Sequence, residues 1–250
     1  MNTDMIKYVL SRGCRLLDFQ LYYDTNTQNV MVSSFLPDNT TKTVTSDLPL
    51  ADVLSAVSQY GFSGPSPNLG DPLFIQFRFN LSNQFGVSNY AKDMKETVAA
   101  MLESRLTNRF YQSKIDLTTP IGNLMGKYVI ISDTKIEDKD GKDLVNIDLG
   151  KTIFPRFNSK DVDNYLSNVL TISADGTTSN TTMIRFVEPT TGDKTNLQAV
   201  RIMNQYSSQV VEQMYYVVDK NLTDYETMFY NFGTAFVPLS MAKNYFANLH

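Results

Sequence analysis

The chain has little of several residue types on which enzymes and metal sites commonly depend. Its 250 residues include one cysteine, one histidine and no tryptophan, and 19% are charged. The single cysteine, Cys14, cannot form an internal disulfide or a cysteine-based zinc site, and we expect it to be a buried structural thiol. The only histidine is the last residue, His250, so a mechanism that needs a buried histidine base is nearly excluded.

The chain also lacks an excess of positive charge. Its 22 lysines and arginines are scattered, and the formal net charge is −4. The positive field that holds nucleic acid is therefore missing, and we predict no nucleic-acid partner. No run of about 18 apolar residues occurs, so we predict no transmembrane segment. The N-terminus shows no basic region followed by an apolar stretch, as a signal peptide would.

What the chain does have is enough apolar material for a sizeable core, because 42% of its residues are hydrophobic. Apolar periodicity in the first half predicts alternating helices and strands, with Ser88 as the N-cap of the longest helix. The helices are Met1–Arg12, Leu50–Tyr60 and Asn89–Gln112, and the strands are Arg15–Tyr23, Val30–Ser33, Leu73–Asn80 and Gly126–Ser132. In the second half we predict helices Ser159–Asn168 and Ser207–Val218 and strands Met183–Val187, Ala199–Met203 and Gly233–Pro238.

The alternation of strands and helices indicates parallel βαβ units. The length is common for a closed (β/α)8 barrel, and an open doubly wound sheet is the alternative. Alternation within two strands places Asp18 with Gln20 and Gln76 with Arg78 on polar faces, which favours the barrel. We therefore predict an α/β fold of TIM-barrel type, with residues 1–250 forming one domain. The acidic run 137–143 around Gly141 lacks calcium-loop spacing and predicts a turn.

Four blocks of sequence occur in the order and spacing of a known family. They are Lys7–Leu21, which contains Gly-Cys-Arg, and Thr43–Phe62, Asp71–Phe77 and Asn123–Ile130. Together they resemble the X region of phosphatidylinositol-specific phospholipase C over roughly residues 5–132. The C-terminal half resembles the family only in its pattern of elements.

The resemblance implies a site that this chain has largely lost. The family uses two histidines and three acidic calcium ligands. The first histidine belongs to a strand ahead of the Gly-Cys-Arg helix, where this sequence begins, so the resemblance implies an incomplete or distorted barrel without its first strand. The second histidine aligns with Ser33. The calcium ligands align with Asp18, Gln20 and Arg78, of which only Asp18 is acidic.

These replacements predict no catalytic residue and no cofactor or metal. Calcium usually needs several carboxylates, and Arg78 brings a positive charge to one ligand position. We expect an Asp18–Arg78 ion pair in place of the ion, because a partly buried carboxylate is costly to leave unpaired. Lys127 persists from the family's Gly-Lys pair, and Arg78 and Lys127 are the candidate anion-binding residues.

The predicted function is that of a catalytically inactive phospholipase-C-like protein with a structural or protein-interaction role. The barrel edge left by a missing strand would suit a strand from another chain. The Asn-, Thr- and Ser-rich, charge-poor composition resembles structural proteins of large double-stranded DNA viruses. We therefore expect a minor capsid or virion component whose partners are other proteins, including capsid proteins. Outside a virion we expect it in the cytoplasm.

Two other functions stay open at this stage. The first is an active phosphodiesterase, which requires an upstream strand beyond the given sequence and a substitute for the second histidine. The second is a binding module for phosphoinositide headgroups, in which Arg78 and Lys127 hold a phosphate. Lipid contact has little support, because no dense cluster of lysine and arginine occurs.

Overall fold

A computed structural model of the chain describes residues 2–36, 39–81, 90–150, 153–160, 162 and 183–248. The chain divides into two compact units. The first comprises Met1–Ile115 and Pro120–Asp148, and the second comprises Asp116–Thr119 and Leu149–His250. Each unit contains a β-sheet with helices, and the architecture is mixed α/β. That residues 1–250 form one domain stays a prediction.

The first unit is built on a sheet of six strands in the order β3-β2-β1-β4-β5-β6. The strands are β1 (Leu16–Asp24), β2 (Asn29–Ser33), β3 (Leu48–Pro49), β4 (Leu73–Phe79), β5 (Tyr128–Ser132) and β6 (Ile147–Asp148). Strands β1, β4, β5 and β6 pair in parallel, as predicted. Strand β2 pairs antiparallel with both β1 and β3, which the expectation of parallel units did not include. A short polar turn after β1 reverses the chain without a crossover helix, and this forces the antiparallel direction.

The three helices predicted for the first unit are present, but the third ends at Leu106 instead of Gln112. They are α1 (Asp4–Ser11), α2 (Leu50–Tyr60) and α3 (Tyr90–Leu106), with short 3-10 turns at Thr107–Arg109 and Ile121–Leu124. Helix α2 packs against α1, α3 and β2. The apolar stripes that predicted α2 and α3 are buried, with members Val53, Leu54, Val57, Met94, Val98 and Leu102. The helix stripes therefore face the core of this unit.

The second unit contains a smaller parallel sheet, and its described residues include three complete helices. Its strands are β7 (Arg156–Asn158), β8 (Phe186–Glu188) and β9 (Val210–Val211), and they pair in that order. Its helices are α4 (Ala199–Tyr206), α5 (Lys220–Phe232) and α6 (Leu239–Ala247). A core cluster joins β8 residue Val187 to α4 residues Ile202 and Met203 and to α6 residues Ala242 and Phe246.

The predictions for this second half were wrong in three places. Ala199–Met203 was expected to be a strand but lies in helix α4. Its buried residues Ala199, Ile202, Met203 and Tyr206 follow helical spacing, and the short strand prediction overlooked this signal. Ser207–Val218 was expected to be a helix but holds β9 and a turn. Gly233–Pro238 was expected to be a strand but connects α5 to α6.

The wrong assignments hid helix α5, whose ends the sequence does mark. Asp219 is the N-cap, and its side chain accepts a hydrogen bond from the Leu222 backbone N–H at 2.9 Å. Gly233 ends the helix with φ of 69°, a left-handed conformation that glycine adopts without steric cost. The sequence prediction made Gly233 the first residue of a strand, although this glycine marks the end of helix α5.

Two expectations fall on residues outside the described part of the chain. Ser88, the predicted N-cap of α3, is one, and helix Ser159–Asn168 lies largely outside it as well. Within the described ranges, no helix is long and apolar enough to cross a membrane.

Candidate functional site

The strand register brings four positions of the family site, three of them altered, together on three neighbouring strands. Asp18 and Gln20 of β1 lie beside Gln76 and Arg78 of β4, respectively. On its other side, Gln20 lies beside Ser33 of β2. Paired residues of neighbouring strands share a face of the sheet, and so do residues two apart along a strand. The face therefore carries the positions that align with the family's calcium ligands and second histidine.

Asp18 is held by a bidentate ion pair. Arg78 Nε donates to Asp18 Oδ1 at 2.9 Å, and Arg78 Nη2 donates to Asp18 Oδ2. Gln76 Nε2 adds a third hydrogen bond to Asp18 Oδ1 at 3.1 Å. The side chains of Asp18 and Arg78 are 17% and 25% exposed, respectively. The ion pair expected from the sequence is therefore present, partly shielded from water and supported by a neighbouring amide.

The three calcium-aligned positions do not fit a calcium ion in this arrangement. Both carboxylate oxygens of Asp18 accept hydrogen bonds from the Arg78 guanidinium. Gln20 Oε1 accepts a hydrogen bond from the Phe35 backbone N–H at 3.0 Å. A divalent cation here would have to displace a guanidinium at short range, and like charges would repel.

A second polar cluster surrounds Ser33, at the position of the family's second histidine. Ser33 Oγ donates to Asp47 Oδ1 at 2.6 Å. Asp47 Oδ2 accepts from the Tyr22 hydroxyl and from Lys42 Nζ, each at 2.5 Å, and Lys42 Nζ also contacts the Tyr22 hydroxyl at 2.8 Å. These four residues, here called the Ser33 cluster, link β1 and β2 to the loop before β3.

The electrostatics of the Ser33 cluster stabilise a fixed pattern of charge. Burial opposes ionisation of Asp47, but hydrogen bonds from Lys42, Ser33 and Tyr22 outweigh it and lower the pKa of Asp47. Burial likewise opposes the charge on Lys42, but its hydrogen bonds to Asp47 and Tyr22 raise its pKa. Burial and the hydrogen bond to Asp47 raise the pKa of Tyr22. Asp47 is thus held ionised, Lys42 protonated and Tyr22 neutral.

This pattern does not suit acid–base catalysis at neutral pH. A general base works best when its pKa lies near the operating pH, and the pKa of Asp47 is displaced below the ordinary carboxyl value. The Ser33 proton is shared with that weak base, and no imidazole is in the cluster to accept it. The cluster ties the loop to the sheet instead of activating a nucleophile.

The two candidate anion-binding residues lie at opposite ends of the sheet. Lys127 directly precedes Tyr128, which pairs with Leu73 at the start of β4, whereas Arg78 lies near the end of β4. Along the strand direction, Arg78 lies six residues beyond the position opposite Lys127. At about 3.3 Å per residue, this separates the two backbones by about 20 Å. The parallel strand register therefore places the two residues at different levels of the sheet, and anion binding by them stays a prediction.

Sequence reasoning missed Lys42 and Asp47. The alternation of β1 does place Tyr22 on the face of Asp18 and Gln20, so one signal for the cluster existed. Lys42 and Asp47 lie in an irregular loop, where no periodicity indicates which way a side chain points. The contact of Asp47 with Ser33, and that of Lys42 with Asp47 and Tyr22, arise only when the loop folds back onto the sheet.

Two minor predictions concern residues away from this face. The acidic run 137–143 is a turn, as predicted: Glu137 and Asp143 form an isolated bridge, and Asp138 N donates to Lys142 O at 2.9 Å. Cys14 is half-buried and directs Sγ to the Leu16 carbonyl oxygen at 3.0 Å. Both observations agree with structural roles.

Comparisons with known proteins extend these observations. The crystal structure of PLC21 from S. officinalis matches with a TM-score of 0.65 at 13% identity and covers 91% of this chain but 32% of its own. That of PLC21 from L. pealei matches with a TM-score of 0.64 at 15% identity, covering 90% and 33%. The chain thus spans about a third of these phospholipase C structures, and the likeness concerns the TIM-barrel-type fold alone.

Sequence comparison identifies the same group. No curated protein sequence matches the chain. The family described as "Phosphatidylinositol-specific phospholipase C, X domain" matches residues 1–134, the part that contains the Asp18–Arg78 pair and the Ser33 cluster. Because that match covers more than half of the chain, the chain belongs to the phosphatidylinositol-specific phospholipase C X-domain family.

Proposed function

We propose that this chain is a non-hydrolytic member of its family that works as a structural or protein-interaction protein. The observation that carries the proposal is the bidentate contact of Arg78 with both carboxylate oxygens of Asp18. A guanidinium on the one remaining acidic calcium position neutralises it from within the chain. The family's calcium-dependent chemistry would then have no ion to stabilise charge at phosphorus.

The acid–base groups give the second line of support. The position aligned with the second histidine is Ser33, whose hydroxyl donates to Asp47. The only histidine of the sequence is its last residue. A general acid–base group contributes roughly 10²–10⁴ in rate, so the loss of the second histidine would remove most turnover even if the substrate still bound.

The cellular role that we propose is that of a minor capsid or virion component of a large double-stranded DNA virus, with capsid proteins among its partners. The support is compositional: 19% charged residues, no tryptophan and an abundance of Asn, Thr and Ser. A cytoplasmic location would follow for any protein outside a particle.

Neither alternative function has a specific observation in its favour. Headgroup binding was based on Arg78 and Lys127, and their separation along the sheet removes that support. An active hydrolase would need Arg78 to leave Asp18 and a base in place of the second histidine, whose aligned position is Ser33.

The decisive experiment is hydrolysis of phosphatidylinositol micelles by the purified chain, with millimolar calcium and with EDTA. A known phosphatidylinositol-specific phospholipase C serves as the positive control, and Asp18→Asn serves as the matched variant. We expect no turnover above the blank in any condition. Calcium-dependent turnover that Asp18→Asn abolishes would overturn the proposal.

The structural role needs a separate test. Purified virions from an infected source can be resolved on a density gradient and probed with an antibody to the chain. Co-migration with the major capsid protein after detergent and salt washes is expected. Signal confined to the soluble fraction would refute the virion assignment while leaving the loss of catalysis untouched.

A further inference from the structure

Arg185 of the second unit is a buried cation without a counter-charge among the residues that the structure describes. Its residue exposure is 0%, and none of its Nε, Nη1 and Nη2 atoms has a hydrogen-bond partner. Arginine stays protonated in proteins, so the group cannot escape by losing its charge. A guanidinium that is buried, charged and unpaired is strongly disfavoured, and it therefore signals a missing anion.

The backbone places Arg185 at the start of strand β8, on the side that meets helix α6. Its carbonyl oxygen accepts from Val210 N at 3.1 Å, and its N–H donates to the Gln209 side chain at 2.8 Å. Strand alternation puts Arg185 on the face of Val187, which belongs to the same core cluster as Ala242 and Phe246 of α6. The guanidinium is thus enclosed on the helix side of the sheet.

Two groups near Arg185 are, like its guanidinium, hydrogen-bond donors that suit an anion: the Ser208 hydroxyl and the Lys243 ammonium. Ser208, one residue before Gln209, is fully buried, and its Oγ has no partner in the described part of the chain. Lys243 follows Ala242 on α6, and its Nζ donates to Ser207 Oγ at 3.0 Å. Burial and then the positive charge of Arg185 lower the pKa of Lys243, so the two cations are close enough to repel.

Two cations and an unsatisfied hydroxyl, with no carboxylate paired to Arg185 in the described ranges, are complementary to an anion. We propose that Arg185, Ser208 and Lys243 bind a small phosphate-type oxyanion, either inorganic phosphate or a phosphomonoester. A tetrahedral dianion offers several oxygens to donors that converge from a strand, a loop and a helix, and the guanidinium fork suits it well. The site uses none of the residues of the Asp18–Arg78 pair and does not depend on the proposed function.

Burial restricts the size of the ligand and its route of entry. Arg185 and Ser208 are fully buried, whereas Lys243 on helix α6 is half-buried. Movement of the flexible Lys243 side chain would admit an anion of a few atoms. A bulky headgroup could present only its terminal phosphate.

The test is thermal unfolding of the full chain in increasing inorganic phosphate, with sodium chloride adjusting the ionic strength to a constant value. A ligand that binds only the folded state raises the melting temperature in a saturable way. We expect that response in the wild type, an apparent affinity at least about tenfold weaker in Lys243→Met, and no response in Arg185→Met. Arg201→Met removes the same charge from an exposed arginine of the second unit and should retain the full response.

Arg185→Met also gives a readout that does not need phosphate. Methionine fills a similar volume without a charge, so in phosphate-free buffer the variant should melt no lower than the wild type. If a carboxylate of the chain itself neutralised Arg185, the variant would instead be destabilised and phosphate would have no effect on the wild type. That pair of results would overturn the proposal.

Vesicle flotation with the same protein distinguishes a lipid phosphate from a soluble phosphate as the source of the anion. Vesicles of phosphatidylcholine containing phosphatidic acid are floated with the chain, with and without competing phosphate. Flotation that requires Arg185 would identify a lipid phosphate, and a melting response without flotation would identify a soluble one. If Arg185→Met and the wild type respond equally to phosphate, the site does not exist.

Discussion

Arg78 of strand β4 binds both carboxylate oxygens of Asp18 on the neighbouring strand β1. The residue directly beside Asp18 is Gln76, so the arginine reaches diagonally back across the pair of parallel strands. Gln76 donates to the same carboxylate, and three donors thus converge on one acid. The arrangement replaces an external cation by one that the chain carries itself.

The first prediction concerns the stability that this pair provides. Arg78→Met should lower the free energy of unfolding by about 1–3 kcal/mol, because it leaves a partly buried carboxylate with a single amide donor. Urea denaturation measures the loss. The double variant Asp18→Asn/Arg78→Met should lose clearly less than the sum of the two single variants, since it leaves no unpaired charge. Lys92→Met, which removes an exposed lysine paired with Glu96, is the control and should cost less than about 0.5 kcal/mol.

The second prediction concerns the calcium response. Arg78→Glu places a second carboxylate against Asp18, and the like charges should destabilise the chain in EDTA. Millimolar calcium should raise the melting temperature of this variant and leave the wild type and Arg78→Gln unchanged. An equal calcium-induced shift in wild type and Arg78→Glu would show that Arg78 does not exclude the ion.

The third prediction concerns the pH dependence of the Ser33 cluster. The pKa of Asp47 is lowered in the folded state, so its contribution is present above the ordinary carboxyl pKa of about 3.9 and disappears as the pH falls through the lower folded value. At neutral pH, Asp47→Asn should cost about 1–3 kcal/mol. Urea unfolding of both proteins should show this difference shrinking in acid. A difference that stays constant down to the acid limit would contradict the assigned role.

At alkaline pH the Ser33 cluster loses its stabilising contribution as the pH rises, the reverse of its behaviour in acid. The pKa values of Lys42 and Tyr22 are raised, so their contribution is complete below the ordinary values near 10 and is lost as the pH rises through the folded ones. Tyr22→Phe should remove the tyrosine part of that alkaline loss.

The fourth prediction concerns helix α5. Asp219→Ala should destabilise the chain by about 1–2 kcal/mol, because the side chain caps the Leu222 N–H and also accepts from the Asn196 backbone N–H at 2.7 Å. Asp219→Asn keeps an oxygen acceptor and should cost less. Unfolding by urea, followed by helical circular dichroism, measures both. Equal losses in the two variants would indicate that charge, not the cap geometry, is responsible.

Much of the first unit was predictable from the sequence because its elements have clear periods. The bounds of α2 were predicted to the residue, and β1 and β4 to within one residue at each end. Strand parity also placed Asp18 with Gln20 and Gln76 with Arg78. The ion pair could therefore be anticipated once a resemblance aligned these positions with one metal site.

The second unit was less predictable because its elements are short and their signals overlap. The apolar residues of Ala199–Met203 suit both a short strand and one turn of helix, and only packing against β8 and α6 decides between them. The sequence marks both ends of α5, but Asp219 was assigned to no element and Gly233 was assigned to a strand. Short β9 depends on pairing with β8, which local sequence does not report.

The sequence by itself determined the family, the elements of the first unit and the chemical identity of the altered site positions. The tertiary structure decided the antiparallel direction of β2, the contacts of Asp47 with Ser33 and Lys42, the separation of Arg78 from Lys127 and the enclosure of Arg185. The physical reason is that periodicity reports which face a side chain occupies within its own element. Strand register and loop closure depend on which distant segments pack together, and they are settled only when the whole core forms.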